Sequence, residues 1–380
     1  MDEYAKNPFI LTGYAGPEYF CNREKEVEDL TEAYRNNRNI ILYSPRRLGK
    51  TGLIQHFFFD TKKADTKITT IYVDIHDTVD LEGFINSFCS AVLNATETKR
   101  DGFINRMSEL FSGIKTSFLL NEYTGMPEVQ LGLGTAPEKE HSLSVIMQHL
   151  DNHTTAVVVA IDEFQQISNY PEKNVEALLR KYIQQQKNAN YIFSGSEKHL
   201  LLPMFSDAKR PFYQSTEHIH LKKLDFGTYK SFIQNHLKAG NKNVPEIVLD
   251  YILDWTDIHT FYTQYVCNRL YALPEEEITL DRVKKLLFEI LTEKEGYFHT
   301  LSKLLSKHQL QVLVALAKEN VLTKPTAQKF LRKHELSGAA TVRKSLQALV
   351  SKGLVDEELS DEKPEYRVND VFLRRWLEQR

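Results

Sequence analysis

Residues 39–51, which read NIILYSPRRLGKT, decide the fold of this 380-residue chain. The apolar run at residues 40–42 ends in Ser44-Pro45, the profile of a buried strand running into a loop. Residues 51–59 then predict a helix. A strand, a loop with Gly-Lys-Thr and a helix, in this order, is the arrangement that a phosphate-binding loop requires.

The loop itself has the chemistry of a nucleotide site. It fits the last three positions of G-x-x-x-x-G-K-[ST], with Ser44 where the first glycine is expected. Backbone N–H groups around Gly49 and at the following helix N-terminus can hold phosphate oxygens. Lys50 would supply charge to the β- and γ-phosphates and act in catalysis, and the Thr51 hydroxyl would be a magnesium ligand. The predicted cofactor-binding residues here are Ser44, Pro45, Arg46, Arg47, Leu48, Gly49, Lys50, Thr51 and Gly52.

A second apolar strand, residues 157–161, ends in Asp162 and Glu163. Asp162 would hold magnesium through water, and Glu163 would orient or deprotonate the water that attacks the γ-phosphate. A strand end that turns acidic on leaving the core is the alternative, but its combination with the phosphate loop favours the metal and water roles. Ser194 ends the next strand and is predicted to bind near the γ-phosphate, although an N-cap serine at a plain turn fits equally well.

Similar apolar runs at residues 68–75, 156–161 and 191–194 alternate with segments long enough for helices. This alternation predicts an α/β fold, a parallel sheet with helices on both faces. The glycine- and proline-containing stretch 101–140 predicts an irregular insertion with one or two short strands. We expect a P-loop core at residues 1–224.

The pattern after residue 224 changes to helices. Helical stretches at 248–255, 261–271 and 280–291 predict a helical lid over residues 225–298. Three more helical stretches and a hairpin around residues 361–364 predict a winged-helix domain at residues 299–380.

Composition excludes several classes of protein. A net charge of −3 excludes a globally basic nucleic-acid binder. The longest apolar run, residues 156–161, is far shorter than the roughly 20 residues of a membrane span. The N-terminus lacks the features of a secretory signal, so we expect a cytoplasmic protein that does not bind membranes.

The combined motifs resemble the archaeal-type ATPase family, in the STAND branch of the AAA+-related P-loop NTPases. The resemblance rests on residues 20–26 (FCNREKE), similar to the family's F-x-x-R-E-x-E motif, on residues 45–51, and on residues 162–165 (DEFQ). It extends over nearly the whole chain. It implies a RecA-like core and an ATP-switched machine whose nucleotide state governs contacts with a partner or DNA. Arg23 would then lie near the base or ribose side of the nucleotide.

Two departures from that family pattern stand out. Ser44 replaces the first loop glycine, and residues 256–262 lack the glycine and proline that members often show there. Arg210, beside a proline, could be an arginine finger in cis or from a neighbouring subunit, or an ordinary surface residue.

The predicted winged helix is basic in its helices and acidic in its wing. Residues 299–352 hold ten Lys and Arg but two Glu, a local net charge of +8. Arg343 and Lys344 lie on the polar side of a predicted recognition helix, residues 339–351, so DNA is a candidate partner. The wing is acidic and would be repelled by phosphates, so DNA contact would use the helices. The alternative is a winged helix that contacts a protein partner or clamps its own ATPase domain.

These features give one preferred hypothesis and several rivals. The preferred hypothesis is an ATPase that binds and hydrolyses Mg-ATP and couples the cycle to the lid and winged helix. The first rival is a slow or non-hydrolysing nucleotide switch that binds a protein partner or DNA. A DNA-binding regulator with a structural P-loop and a small-molecule kinase are the others. The sequence leaves open whether the chain forms a homo-oligomer.

Overall fold

A computed structural model describes residues 7–65, 67–97, 100–122, 125–360 and 363–380. These residues fall into two compact units. The sheet unit comprises residues 13–222, and the helical unit comprises residues 7–12 and 223–380.

The sheet unit contains strands that alternate with helices. Its strands are β1 (Ile40–Tyr43), β2 (Ile68–Asp74), β3 (Thr116–Leu120), β4 (Pro127–Leu131), β5 (Ala156–Asp162), β6 (Ala189–Gly195) and β7 (Glu217–His220). Its helices are α1 (Glu24–Arg35), α2 (Lys50–Ala64), α3 (Leu81–Thr96), α4 (Arg100–Leu110), α5 (Ala136–Asp151), α6 (Val175–Ile183) and α7 (Lys198–Ser206), with 3-10 helices at Pro17–Tyr19 and Phe164–Asn169.

Five parallel strands of the described chain form one sheet in the order β2-β5-β6-β1-β7. Each strand of a parallel sheet needs a crossover connection, and the helices between the strands provide it. Strand β6 lies between β1 and β5, so the carboxyl ends of all three meet at one edge. The prediction of an α/β parallel-sheet P-loop core is confirmed.

Alternate residues of the strands enter separate cores on the two faces of the sheet. In β5, Val157, Val159 and Ile161 belong to one apolar cluster, which also contains α3 and α5 side chains. Val158 and Ala160 belong to the other, with side chains of α1 and α2. Burial on both faces explains why β5 reads as a continuous apolar run.

The insertion at residues 101–140 is more regular than we predicted. It holds helix α4 and the antiparallel hairpin of β3 and β4. The two short strands that we predicted are present, but the prediction that the rest of the insertion is irregular was wrong, because α4 forms its first part. Side chains of α3 satisfy the backbone of β4: Ser90 accepts from the Val129 N–H at 2.7 Å and Asn86 from the Leu131 N–H at 3.0 Å. Two residues along a strand and four residues along a helix cover nearly the same distance. One face of α3 can therefore cover this edge of β4.

The helical unit begins with residues 7–12 and continues from residue 223. Its helices are α8 (Phe226–Ala239), α9 (Glu246–Trp255), α10 (Thr260–Tyr271), α11 (Leu280–Lys303), α12 (Lys307–Glu319), α13 (Gln328–Lys333), α14 (Ala339–Ser351) and α15 (Val371–Glu378), and its strands are β8 (Val355–Ser360) and β9 (Lys363–Val368). Helices α12 to α14 followed by the β8–β9 hairpin confirm the predicted winged helix. Residues 361–362 of the predicted hairpin turn lie outside the described residues. No helix in the described chain is both long and apolar enough to span a bilayer.

A buried ion network ties the C-terminal helix to the turn after α9. Arg374 of α15 is 2% exposed and donates to Asn320 and, at 3.4 Å, to Asp257. Lys223 also pairs with Asp257 at 2.7 Å. Burial opposes ionisation of Asp257, but Lys223 and Arg374 outweigh it and hold the pKa of this carboxyl below its ordinary value.

Replacing Asp257 with Ala should lower the free energy of unfolding of the helical unit by about 2 to 3 kcal/mol, because the buried Arg374 loses the carboxylate that accepts its hydrogen bond. Among the described carboxylates, Arg374 then keeps only the longer pair with Glu378 at 3.6 Å. Trp255 and Trp376, the two tryptophans of the chain, both lie in this unit, so their fluorescence during denaturation measures the change. Because the pKa of Asp257 is depressed, its contribution is complete above about pH 4 and is lost as the pH falls further.

The exposed Asp254, on α9, provides the control. Its replacement with Ala should change the free energy of unfolding by less than about 0.5 kcal/mol. Equal denaturation midpoints for the two variants at neutral pH would contradict the proposed network.

Candidate functional site

The loop after β1 is held in the conformation of a phosphate cradle. Gly49 has φ 101°, the left-handed region that favours glycine, and it immediately precedes α2. The Ser44 hydroxyl is buried and donates to the Pro45 carbonyl at 2.8 Å. The serine at the first glycine position of the motif therefore stabilises the turn with its own side chain.

The Asp162 carboxylate joins four segments of the sheet unit. Its Oδ2 accepts hydrogen bonds from the Thr51 hydroxyl of α2 at 2.9 Å and the Tyr72 hydroxyl of β2 at 2.7 Å. Its Oδ1 accepts from the Ser194 hydroxyl of β6 at 2.6 Å and from the Glu163 N–H at 3.0 Å. Thr51, Asp162 and Ser194, predicted from separate motifs, thus lie together.

Charged groups of both signs surround this carboxylate. Lys50 is 6% exposed, and burial lowers the pKa of its ammonium while Asp162 and Glu163 oppose that effect. Asp74 pairs in register with Asp162 on the neighbouring strand. Burial, with the charges of Asp162 and Glu163, raises the pKa of the Asp74 carboxyl. A bound anion would stabilise the charged form of such a buried lysine.

Glu163 begins a sharp turn out of the sheet. Its φ of 56° is left-handed, and the 3-10 helix Phe164–Asn169 follows. Its Oε2 accepts hydrogen bonds from the Gln165 amide and, at 2.9 Å, from the Ser196 hydroxyl. The predicted base therefore has a fixed side chain beside Asp162.

The other predicted loop residues have distinct surroundings. Arg46 is exposed and donates to Glu197 at 3.0 Å and to Ser196 at 3.4 Å. Arg47 is exposed, whereas Leu48 is buried in the core under the sheet. Gly52 lies in the first turn of α2, where an added Cβ would be 3.6 Å from the Phe20 ring.

Arg23 and Arg210 lie apart from this hydrogen-bonded cluster in their described contacts. Arg23 is 6% exposed, precedes α1 and donates to Glu26 at 2.9 Å. Arg210 donates two hydrogen bonds to the Glu176 carboxylate of α6, one from Nε at 2.9 Å and one from Nη2. The suggested finger is thus held by a carboxylate in this conformation.

Four residues of the site were missed from the sequence: Tyr72, Asp74, Gln165 and Ser196. A signal existed for Asp74, because it is the second-last residue of the apolar run at residues 68–75 and the carboxyl ends of parallel strands share one edge. Gln165 is the last residue of the motif quoted at residues 162–165, and Ser196 is two residues after Ser194, so both were close to predicted site residues. Tyr72 gave no signal, since a tyrosine within a strand is ordinary.

Helix α14 of the winged helix has the two faces that we predicted. Val342, Leu346 and Leu349 of α14 are buried, whereas Arg343 and Lys344 are exposed. Helix α13 also carries exposed basic residues, and among them Lys333 pairs with Glu319 at 2.7 Å. The two helices therefore present basic side chains to solvent.

Several solved structures share this fold along almost their whole length. A Walker-type ATPase of Pyrococcus abyssi matches with TM-score 0.65 and 19% identity, covering 97% of this chain and 99% of that one. The ORC2 protein of Aeropyrum pernix, solved as ADPNP and ADP complexes, matches with TM-score 0.59 and 16% identity over 98% and 97%. The ORC1 protein of Aeropyrum pernix, solved in complex with DNA, matches with TM-score 0.53 and 13% identity over 98% and 96%. At these identities the likeness is one of fold.

Family models account for most of the sequence. Residues 296–379 match a probable winged helix domain, and residues 20–259 match an ATPase domain predominantly from Archaea. No curated protein sequence matches the chain. The resemblance seen in the motifs is thereby confirmed: the chain belongs to the family of ATPase domains found predominantly in Archaea, and a winged helix domain follows its ATPase domain.

Proposed function

We propose that the chain binds Mg-ATP at the loop after β1, hydrolyses it, and couples the cycle to its lid and winged helix, which acts on DNA. The observation that carries the proposal is the Asp162 carboxylate, which joins the Thr51 hydroxyl of the phosphate loop to Ser194 of β6. A phosphate loop, a metal-binding carboxylate and a base are the parts that nucleotide hydrolysis needs.

The residues present fit magnesium and triphosphate. The Thr51 hydroxyl and the Asp162 carboxylate offer the hard oxygen ligands that Mg²⁺ prefers, and they lie 2.9 Å apart. When bound, the ion would neutralise charge on the β- and γ-phosphates. Lys50 and the backbone N–H groups after Gly49 would bind phosphate oxygens, and Arg23 would lie on the base or ribose side of the nucleotide.

Glu163 is the proposed general base. It accepts a proton from water as the water oxygen bonds to the γ-phosphorus, the bond to the bridging oxygen of ADP breaks, and the proton later passes to solvent. Arg210 enters the proposal as an arginine finger, in cis or from a second copy, that exchanges Glu176 for the γ-phosphate. Replacing Glu163 with Gln also distinguishes an enzyme, which should lose ATP turnover but still bind ATP, from a pure nucleotide switch, which should lose nothing.

ATP turnover by the purified protein should be abolished by Lys50→Ala and by Glu163→Gln, each assayed with and without duplex DNA. Glu163→Gln should still bind ATP, because its amide leaves the phosphate-binding groups intact. Lys62→Ala, an exposed lysine on the same helix as Lys50, should keep wild-type turnover. Tight ATP binding with no turnover by the wild type would instead support the non-hydrolysing switch.

The proposed DNA contact lies on α13 and α14 because the wing is acidic. Asp356 and Glu357 of β8 would repel phosphates. Arg343 and Lys344 on α14 face solvent and can bind the backbone of a duplex.

Duplex binding by the Arg343→Ala/Lys344→Ala double variant should weaken, and the slope of log affinity against log salt should fall by about 2, since two phosphate contacts are lost. Fluorescence anisotropy over a salt series measures both. The control, Lys62→Ala/Lys63→Ala, removes the same charge from exposed positions of α2. An equal effect of the two double variants would refute a specific role for α14 and favour a protein partner.

A further inference from the structure

We infer that Gln165 and Ser196 form a two-donor clamp that orients the Glu163 carboxylate for hydrolysis. The inference rests on the proposed ATPase function and concerns residues that act through Glu163, so both are positioning residues. Neither residue is among the predicted phosphate-binding residues.

Both donors of the clamp reach the same oxygen. The Gln165 amide and the Ser196 hydroxyl donate to Oε2 of Glu163, and the described hydrogen bonds leave Oε1 available for water. Two bonds to one oxygen fix the rotation of the carboxylate. When the carboxylate cannot rotate, its other oxygen can accept a proton from water in only one geometry. Holding the reacting groups in one geometry is how positioning raises the rate of a reaction.

The backbone brings Gln165 back towards Glu163. Glu163 adopts φ 56° and the chain enters a 3-10 helix. Phe164, between the two polar residues, is fully buried against Phe193, Phe205 and Phe212. This aromatic anchor holds the turn, so both flanking side chains stay at the carboxyl end of β5.

Glycine at position 195 leaves space for the clamp. A Cβ on Gly195 would lie 2.0 Å from Oε1 of Gln165 and 3.0 Å from the Leu201 side chain. Such distances are not compatible with any side chain unless Gln165 moves. Ser194 and Ser196, on either side of this glycine, donate to Asp162 and Glu163 respectively.

The amide of Gln165 is arranged for Glu163 at a cost to stability. The residue is 4% exposed, and its Oε1 has no hydrogen-bond partner among the described residues. A carboxylate accepts only from the NH₂ end of an amide, so the orientation that binds Glu163 leaves the oxygen buried and unsatisfied. A residue kept for packing would not need this polar atom. The clamp therefore makes a specific prediction: removing the amide should reduce turnover without reducing stability.

The test replaces Gln165 with Met, which has a similar length but cannot donate. We expect kcat to fall on the order of 10- to 100-fold, KM for ATP to change less than about threefold, and the melting temperature to stay equal or rise. Ser196→Ala should lower kcat in the same way, and Ser196→Thr, which keeps the hydroxyl, should restore it.

The matched control is Gln166→Met. Gln166 donates to the Thr78 carbonyl at 2.8 Å, so this change should leave kcat unaltered. If the wild type hydrolyses ATP and Gln165→Met has the same kcat, the clamp is overturned but the ATPase function is not. The clamp is also overturned if the kcat of Gln165→Met falls only because its melting temperature falls. Wild-type turnover no greater than that of Lys50→Ala would overturn the ATPase function and the clamp together.

Discussion

The structure of the site depends on the saturation of the Asp162 carboxylate by hydrogen bonds. Its donors come from the phosphate-loop helix, from β2, from β6 and from the backbone at the end of its own strand. They can meet only because β5 lies between β2 and β6 in a parallel sheet, which brings the carboxyl ends of these strands to one edge. A carboxylate with acceptor sites on both oxygens can hold all four segments at once.

The parts of the site that the sequence predicted are those encoded within short segments. Residues 39–51 contain a strand, a loop and the start of a helix, so neighbouring residues reveal the structure. Asp162 likewise follows its own apolar strand directly. Tyr72 could not be found in this way, because its contact with Asp162 depends on the order of strands 90 positions apart in the chain. Strand order is a tertiary property that apolar periodicity does not encode.

Two further features of the helical unit depend on residues that are distant in sequence. The turn after α9 lacks a glycine, yet Asp257 and Ile258 have φ of 56° and 52°. Left-handed residues of this kind cost about 1 kcal/mol or more each, most for a β-branched side chain. The ion pairs of Asp257 offset part of this cost, but they involve Lys223 and Arg374, which are distant in sequence. Residues 7–12 also join the helical unit through contacts such as Asn7 with Asn268, which no local pattern could indicate.

Three unfavourable features lie at the carboxyl edge of the sheet. Glu163 has a left-handed backbone, Gln165 has an unsatisfied buried oxygen, and Lys50 has an ammonium whose pKa burial lowers. Elsewhere the sheet unit is packed by apolar cores on both faces, which can support these costs. Left-handed and unsatisfied residues also occur elsewhere in the described chain, but at this edge a bound phosphate would compensate the buried charge of Lys50.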